Sequence, residues 1–272
     1  MPEIGVGDAA IQLHGVTLTR GDRVVLRDFS LQIPAGKVTA VMGPSGCGKT
    51  TVLKLITGQL RPDAGEIRVG ATRVDLLGGA DLNRLRRNIG VLLQNGALFT
   101  DLTCFDNVAL PLREHTALPE PLIRRLVLLK LQTVGLRGAA DMYPRELSGG
   151  MNRRVAMARA MALDPAIILY DEPFAGLDPI SLGASLRLIR AINRALGITS
   201  VVITHDVAEV PQFADYCCII AEGRVAATGT PAQLRDSDQE VVRQFVEGLP
   251  DGPVPFHFPA RPLAEDLLAL DR

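Results

Sequence analysis

The sequence predicts an α/β protein: a parallel sheet covered by helices, with an antiparallel β subdomain at its start and a helical subdomain inserted midway. Three observations carry that prediction. Apolar runs of about five residues, at 38–42 and 166–170, lie between turn residues, the pattern of strands buried on both faces. After residue 160 such runs alternate with helical stretches, which implies parallel strands joined by helical crossovers. Between residues 96 and 160 the strand pattern vanishes.

Residues 11–18 alternate as a strand, and 24–26 and 29–33 follow the turn at Gly21-Asp22. Pro34-Ala35-Gly36 makes a second turn before the buried strand 38–42. A glycine-rich loop then leads into a helix from Thr50 to about Leu60, which stops near Gly58 and Pro62. Residues 89–93 form another buried strand, and 122–134 and 151–163 read as helices of the insert. The strand 166–170 precedes a helix from Pro179 to Leu196, with Asp178 as N-cap, Pro179 in its first turn and Gly197 as its stop. Strands at 200–204 and 216–221 complete the sheet. The expected division is a core of 1–95 and 161–247, a helical subdomain of 96–160, and a Pro-rich tail of 248–272.

Hydrophobic residues make up 47% of the chain, enough for a sizeable core, and aromatics only 4% with no Trp, so that core is aliphatic. A net charge of −1 with mixed signs argues against a nucleic-acid binder that relies on a large positive excess. Cys47, Cys104, Cys217 and Cys218 have no metal-ligand spacing and read as reduced thiols of a cytosolic protein. Neither a signal-peptide pattern nor a spanning apolar window appears, so any work at a membrane needs another chain for the crossing.

The stretch Gly43, Pro44, Ser45, Gly46, Cys47, Gly48, Lys49, Thr50 matches G-x-x-x-x-G-K-[ST] between the strand and helix that motif requires. Its backbone N–H groups and the helix N-terminus, opened by Thr50 and Thr51, suit a nucleoside triphosphate. Lys49 reaches the β- and γ-phosphates, and Thr50 ligates Mg²⁺. Cys47 either fills space or is an oxidation-sensitive thiol, since a helix N-terminus lowers a thiol pKa. The apolar strand ending in Asp171-Glu172 supplies a carboxylate for Mg²⁺ through water and a general base for the attacking water.

At Leu147-Ser148-Gly149-Gly150-Met151 the sequence resembles the ABC ATPase family, whose LSGGQ signature stands between the two phosphate motifs in this order. Met151 replaces the family Gln. Ser148, Gly149 and Gly150 still open a helix whose positive end suits a phosphate. The resemblance covers about residues 11–247 and implies a P-loop NTPase (RecA-like) core, ATP and Mg²⁺ as ligands, and a pair of copies sandwiching ATP head to tail. It assigns Gln94 to sensing Mg²⁺ and the γ-phosphate, Gly176-Leu177-Asp178 to a loop touching the partner copy, and His205 to the γ-phosphate. Many family members stack adenine on an aromatic residue near the first strands. Arg20 holds roughly that place here, so Arg20 or Val25 is expected on adenine, against a solvated Arg as the plain alternative.

The stretch 96–116, Met151 and Asp251-Gly252-Pro253-Val254-Pro255-Phe256 are similar to the ATPases of the Mla phospholipid transporters of Gram-negative bacteria. That resemblance implies a place on the cytoplasmic face of the inner membrane, an integral membrane permease, an MCE-type substrate-binding protein and a STAS-domain partner. Segment 98–112, with Phe99 and Phe105, suits a permease contact or packs inside the helical lobe. Phe256 and Phe258 present the tail to a partner, or the tail stays disordered. Three rival readings are a non-transport ABC protein, an ATP-binding scaffold, and a transporter of a small polar solute. A single cassette without zinc cysteines opposes the first, and the full set of Lys49, Asp171, Glu172 and His205 opposes the second.

Overall fold

A computed structural model describes residues 9–254 and 262–268. The chain opens with two long strands, β1 (Ala9–Arg20) and β2 (Arg23–Pro34), antiparallel about the predicted turn. The short central strand β3 (Val38–Met42) follows and runs into α1 (Lys49–Ile56). The chain then returns to the first sheet as β4 (Ala64–Val69) and β5 (Thr72–Arg73), giving the order β2-β1-β4-β5.

Helix α2 (Gly79–Arg87) and strand β6 (Ile89–Leu92) lead out of the core. No strand intervenes before β7 (Ile167–Asp171), and the gap holds α3 (Cys104–His115), α4 (Glu120–Thr133) and α5 (Gly149–Ala160). Then come α6 (Pro179–Leu196), β8 (Thr199–Ile203), the short α7 (Val210–Phe213), β9 (Tyr216–Ala221), β10 (Arg224–Gly229), α8 (Pro231–Arg235), α9 (Glu240–Glu247) and α10 (Leu263–Leu268). The second sheet has the order β10-β9-β3-β8-β7-β6, parallel except for the β9–β10 hairpin at its edge.

This sheet is buried on both faces, and alternation sorts its side chains into two cores. Val38, Ala40, Met42, Ile168 and Tyr170 join the core beneath the helical insert. Val41, Ile167 and Leu169 join the one shared with α1 and the antiparallel sheet. The insert approaches β6 most tightly at Gly90, and Leu92 of the same strand shares its core. A Cβ on Gly90 would lie 2.3 Å from the Ala160 carbonyl oxygen, so only glycine lets the end of α5 press onto the strand.

The predicted boundaries of α6 are observed, and Asp178 accepts from the N–H groups of Ile180 and Ser181 at 3.0 Å each. The strands β4, β5 and β10 and the helices α2, α3, α7, α8, α9 and α10 were not anticipated. Asn107, on α3 and fully buried, accepts from the Phe99 N–H at 2.9 Å and donates to the carbonyls of Phe99, Leu102 and Thr103 at 3.0–3.2 Å. Asn107→Ala strands those backbone groups and is expected to cost about 2–3 kcal/mol in urea unfolding. At the other end of the chain, the Gln244 amide exchanges two 2.8 Å bonds with the Val254 backbone, pinning the first tail residues to α9. Phe256 and Phe258 lie outside the described residues. Among the described residues no helix is long and apolar enough to cross a membrane.

Candidate functional site at the carboxyl edge of the sheet

Between β3 and α1 the backbone turns through Gly43, Gly46 and Gly48, with φ of 148°, 78° and 110°. A Cβ on Gly43 would lie 2.3 Å from the Ile220 carbonyl oxygen, and one on Gly48 would lie 2.9 Å from Leu26 Cδ2. Glycine is therefore required at both ends of the loop on steric and conformational grounds. Lys49 is only 8% exposed, and its ammonium donates to the carbonyls of Gly43 at 2.7 Å and Pro44 at 3.0 Å. Ser45 and Thr50 are exposed at the mouth, with Thr51 half-buried behind them.

Parallel register brings the other groups to the same edge. Val41 of β3 and Asp171 of β7 both pair with Ile203 of β8, so the loop, the two acids and His205 leave adjacent strands side by side. The Thr50 hydroxyl donates to Asp171 Oδ1 at 3.3 Å. Burial raises the Asp171 carboxyl above its ordinary range. The Thr50 hydrogen bond opposes that shift, and the neighbouring Glu172 charge adds to it. Glu172 adopts φ 49°, a left-handed backbone rare outside glycine, fixed by its N–H donating to the Ile203 carbonyl at 3.1 Å. Its carboxylate meets His205 Nδ1 at 2.8 Å. Most of the His205 ring faces solvent, while the Glu172 side chain is largely enclosed.

An oxygen-only pair from Thr50 and Asp171 beside a glycine cradle suits a phosphate-bound Mg²⁺, which takes few protein ligands. Among the described residues no cluster of three His, Cys, Asp or Glu could hold a metal without such a phosphate. Cys47 is buried, and burial pushes its thiol pKa up despite the neighbouring Lys49. Of the two alternatives for Cys47, space filling fits and an activated thiol does not. All four cysteines are buried and unpaired.

Gln94 is exposed just beyond β6. Ser148 caps α5, accepting from the Met151 N–H at 3.3 Å, with Gly149 and Gly150 in the first turn. Gln94, Gly149, Gly176 and Leu177 line one cavity of about 420 Å³. Among the described residues no hydrogen bond or ion pair joins the Ser148 turn to the Lys49 loop of the same chain. Arg20 is exposed in the β1–β2 hairpin, and a Cβ on Gly48 would lie 3.6 Å from Val25 Cγ1. It is Arg23 that touches the loop, donating to the Gly46 carbonyl at 3.3 Å.

Residues 26–175 match the family model described as ABC transporter. The chain is 54% identical to the intermembrane phospholipid transport system ATP-binding protein MlaF of Haemophilus influenzae, over 94% of this chain and 97% of that protein. The chain belongs to the ABC transporter family. It is also 50% identical to MlaF of Escherichia coli K12, over 95% of this chain and 96% of that one. A solved ATP-binding cassette, MJ0796 in a dimeric post-hydrolysis state bound to ADP and Pi, superposes with a TM-score of 0.74 at 32% identity, over 81% of this chain and 98% of that one. As an ABC ATPase the protein binds and hydrolyses ATP.

Sequence reasoning missed Arg23, Asn107 and Arg159 in this ABC ATPase. Arg23 and Arg159 make their contacts through side-chain bonds to backbone far along the chain, at separations that no local pattern encodes, whereas Asn107 folds the irregular segment just before its own helix back onto itself. Arg23 alone carried a signal, being one hairpin position from the expected Arg20.

Proposed function

We propose that this chain is the ATPase of a phospholipid transporter, acting on the cytoplasmic face of the inner membrane and driving lipid movement between inner and outer membranes. The observation that carries the reading is identity of 54% and 50%, over nearly the full length of both chains, to ATPases named for intermembrane phospholipid transport. The partners are a second copy of the chain, an integral membrane permease, an MCE-type substrate-binding protein and a STAS-domain protein. In the pair, the Lys49 loop of one copy holds the triphosphate and the Ser148 helix of the other caps it. Solved dimers of a related cassette support that arrangement.

Within one site, the loop 43–48 and the N-terminus of α1 bind the phosphates, Lys49 neutralises the β- and γ-phosphates, and Arg20 or Val25 meets adenine. Thr50, Gln94 and, through water, Asp171 would hold Mg²⁺, which neutralises charge on the phosphate oxygens. Glu172 takes a proton from the attacking water, with His205 hydrogen-bonded to its carboxylate to fix its direction. Closure of the pair excludes water from the reacting phosphate. Residues 96–160 act as a separate lobe that relays closure to the permease. Phe99, half exposed, is the better permease anchor, since Phe105 packs against the lobe core.

The test is purification of the chain from membranes with its bound partners, followed by lipid analysis and ATP-dependent lipid transfer between vesicles. Phospholipid in the complex and transfer that stops with ATP depletion support the reading. A complex that carries a polar solute and no phospholipid overturns it.

A further inference from the structure

Arg159 is a cation without an anion. It sits near the end of α5, half-buried, and burial alone draws its pKa down. None of the ion pairs among the described residues includes it. Instead its guanidinium donates to the Gly96 carbonyl at 2.7 Å and the Ala97 carbonyl at 2.8 Å, and lies 6.0 Å from the Phe99 ring centroid. A buried charge paired only with carbonyls is costly, and replacing it with an apolar side chain is the cheaper solution for stability alone.

What Arg159 holds is unusual. The Gly96 N–H closes a turn onto the Leu93 carbonyl at 2.8 Å, so Gln94 and Asn95 form its tip. The next two residues both take left-handed backbone, Gly96 at φ 68° and Ala97 at φ 47°. For Ala97 that conformation is strained and persists only where its surroundings enforce it. The turn also packs on α5, since a Cβ on Gly96 would lie 3.4 Å from Ala156 Cβ and 3.8 Å from the Asn152 carbonyl oxygen. Arg159 thus joins the exit of the Gln94 turn to the helix that begins at Ser148.

We propose that Arg159 is a positioning residue that fixes the Gln94 turn against α5, so that Gln94 meets the Mg²⁺–phosphate group only when α5 is in register with it. The inference rests on the reading of Gln94 given above. Arg159 touches no reacting atom; it acts through the two carbonyls that follow Gln94.

The test is a double-mutant cycle of Gln94→Ala and Arg159→Ala, on the full-length chain purified with its membrane partners. It reads ATP turnover as a function of Mg²⁺, together with nucleotide binding. Arg159→Ala is expected to lower kcat about tenfold or more and raise the Mg²⁺ concentration for half-maximal turnover, while nucleotide binding without Mg²⁺ stays within twofold. In the double variant the second substitution adds less than twofold. Arg159→Lys, which keeps one donor to the carbonyls, recovers part of kcat. Full multiplicativity of the two substitutions overturns the proposal, as does an unchanged Mg²⁺ dependence in Arg159→Ala. If Gln94→Ala alone is silent, the reading of Gln94 fails instead. Should Arg159→Ala not fold, Arg159→Lys and Arg159→Met carry the same cycle, and a melting shift with unaltered Mg²⁺ dependence in both leaves only a structural role.

Discussion

Lys49→Ala is expected to abolish ATP binding and turnover together. Among the described residues the ammonium is the only side-chain cation bonded within the glycine turn 43–48, apart from the rim contact of Arg23. Each charge-assisted contact to phosphate is worth about 1.5–3 kcal/mol, so losing two weakens binding about 10²–10⁴-fold. Titration of a fluorescent ATP analogue measures this directly. Because Lys49 also donates to the carbonyls of Gly43 and Pro44, a melting curve without nucleotide is the necessary companion. Wild-type affinity in a folded Lys49→Ala protein would refute the assignment of this loop.

Glu172→Gln separates binding from chemistry. The substitution keeps the side chain's shape but removes the charge assigned above to accepting a proton from water. Turnover is expected to fall about 10²–10⁴-fold, the usual contribution of a general base. ATP affinity is expected to be unchanged, since the carboxylate faces His205 and not the Lys49 loop. The trapped ATP state then appears as a stable pair by size-exclusion chromatography. His205→Ala, added to Glu172→Gln, costs little more, because groups that act as a unit are not additive. Undiminished turnover by Glu172→Gln moves the base elsewhere.

The sequence made the central strands legible because they are short, apolar on both faces and punctuated by glycine and proline, as at 38–42 and 216–221. Helix α6 was equally plain, since Asp178, Pro179 and Gly197 mark both of its ends chemically. Strand β4 escaped because its Ala-Gly-Glu start breaks the alternation; Gly65 there packs 2.5 Å, at its would-be Cβ, from the Gly15 backbone. Helix α2 escaped because its apolar stripe is short: Leu82 and Leu85 pack half-buried against the core and no residue of the helix is fully buried. Within the candidate site, the glycine loop 43–48 and the adjacent acids Asp171 and Glu172 stand out in the sequence by residue type and order alone. The Glu172–His205 contact and the Thr50–Asp171 contact needed the parallel register of β3, β7 and β8, which is a property of the whole sheet.

The tight seat of Ala160 on Gly90 makes α5 a lever. Its 12 residues span about 18 Å, with the fulcrum at one tip and Ser148 at the other. A tilt of about 5° at the fulcrum sweeps Ser148 through about 1.5 Å, half the length of a hydrogen bond. The strand at that tip is β6, and Gln94 follows two residues beyond its far end. Under the pairing proposed above, a small displacement at Gly90 would be felt at the Ser148 end of α5, and a methyl group added at Gly90 would push the helix off the strand.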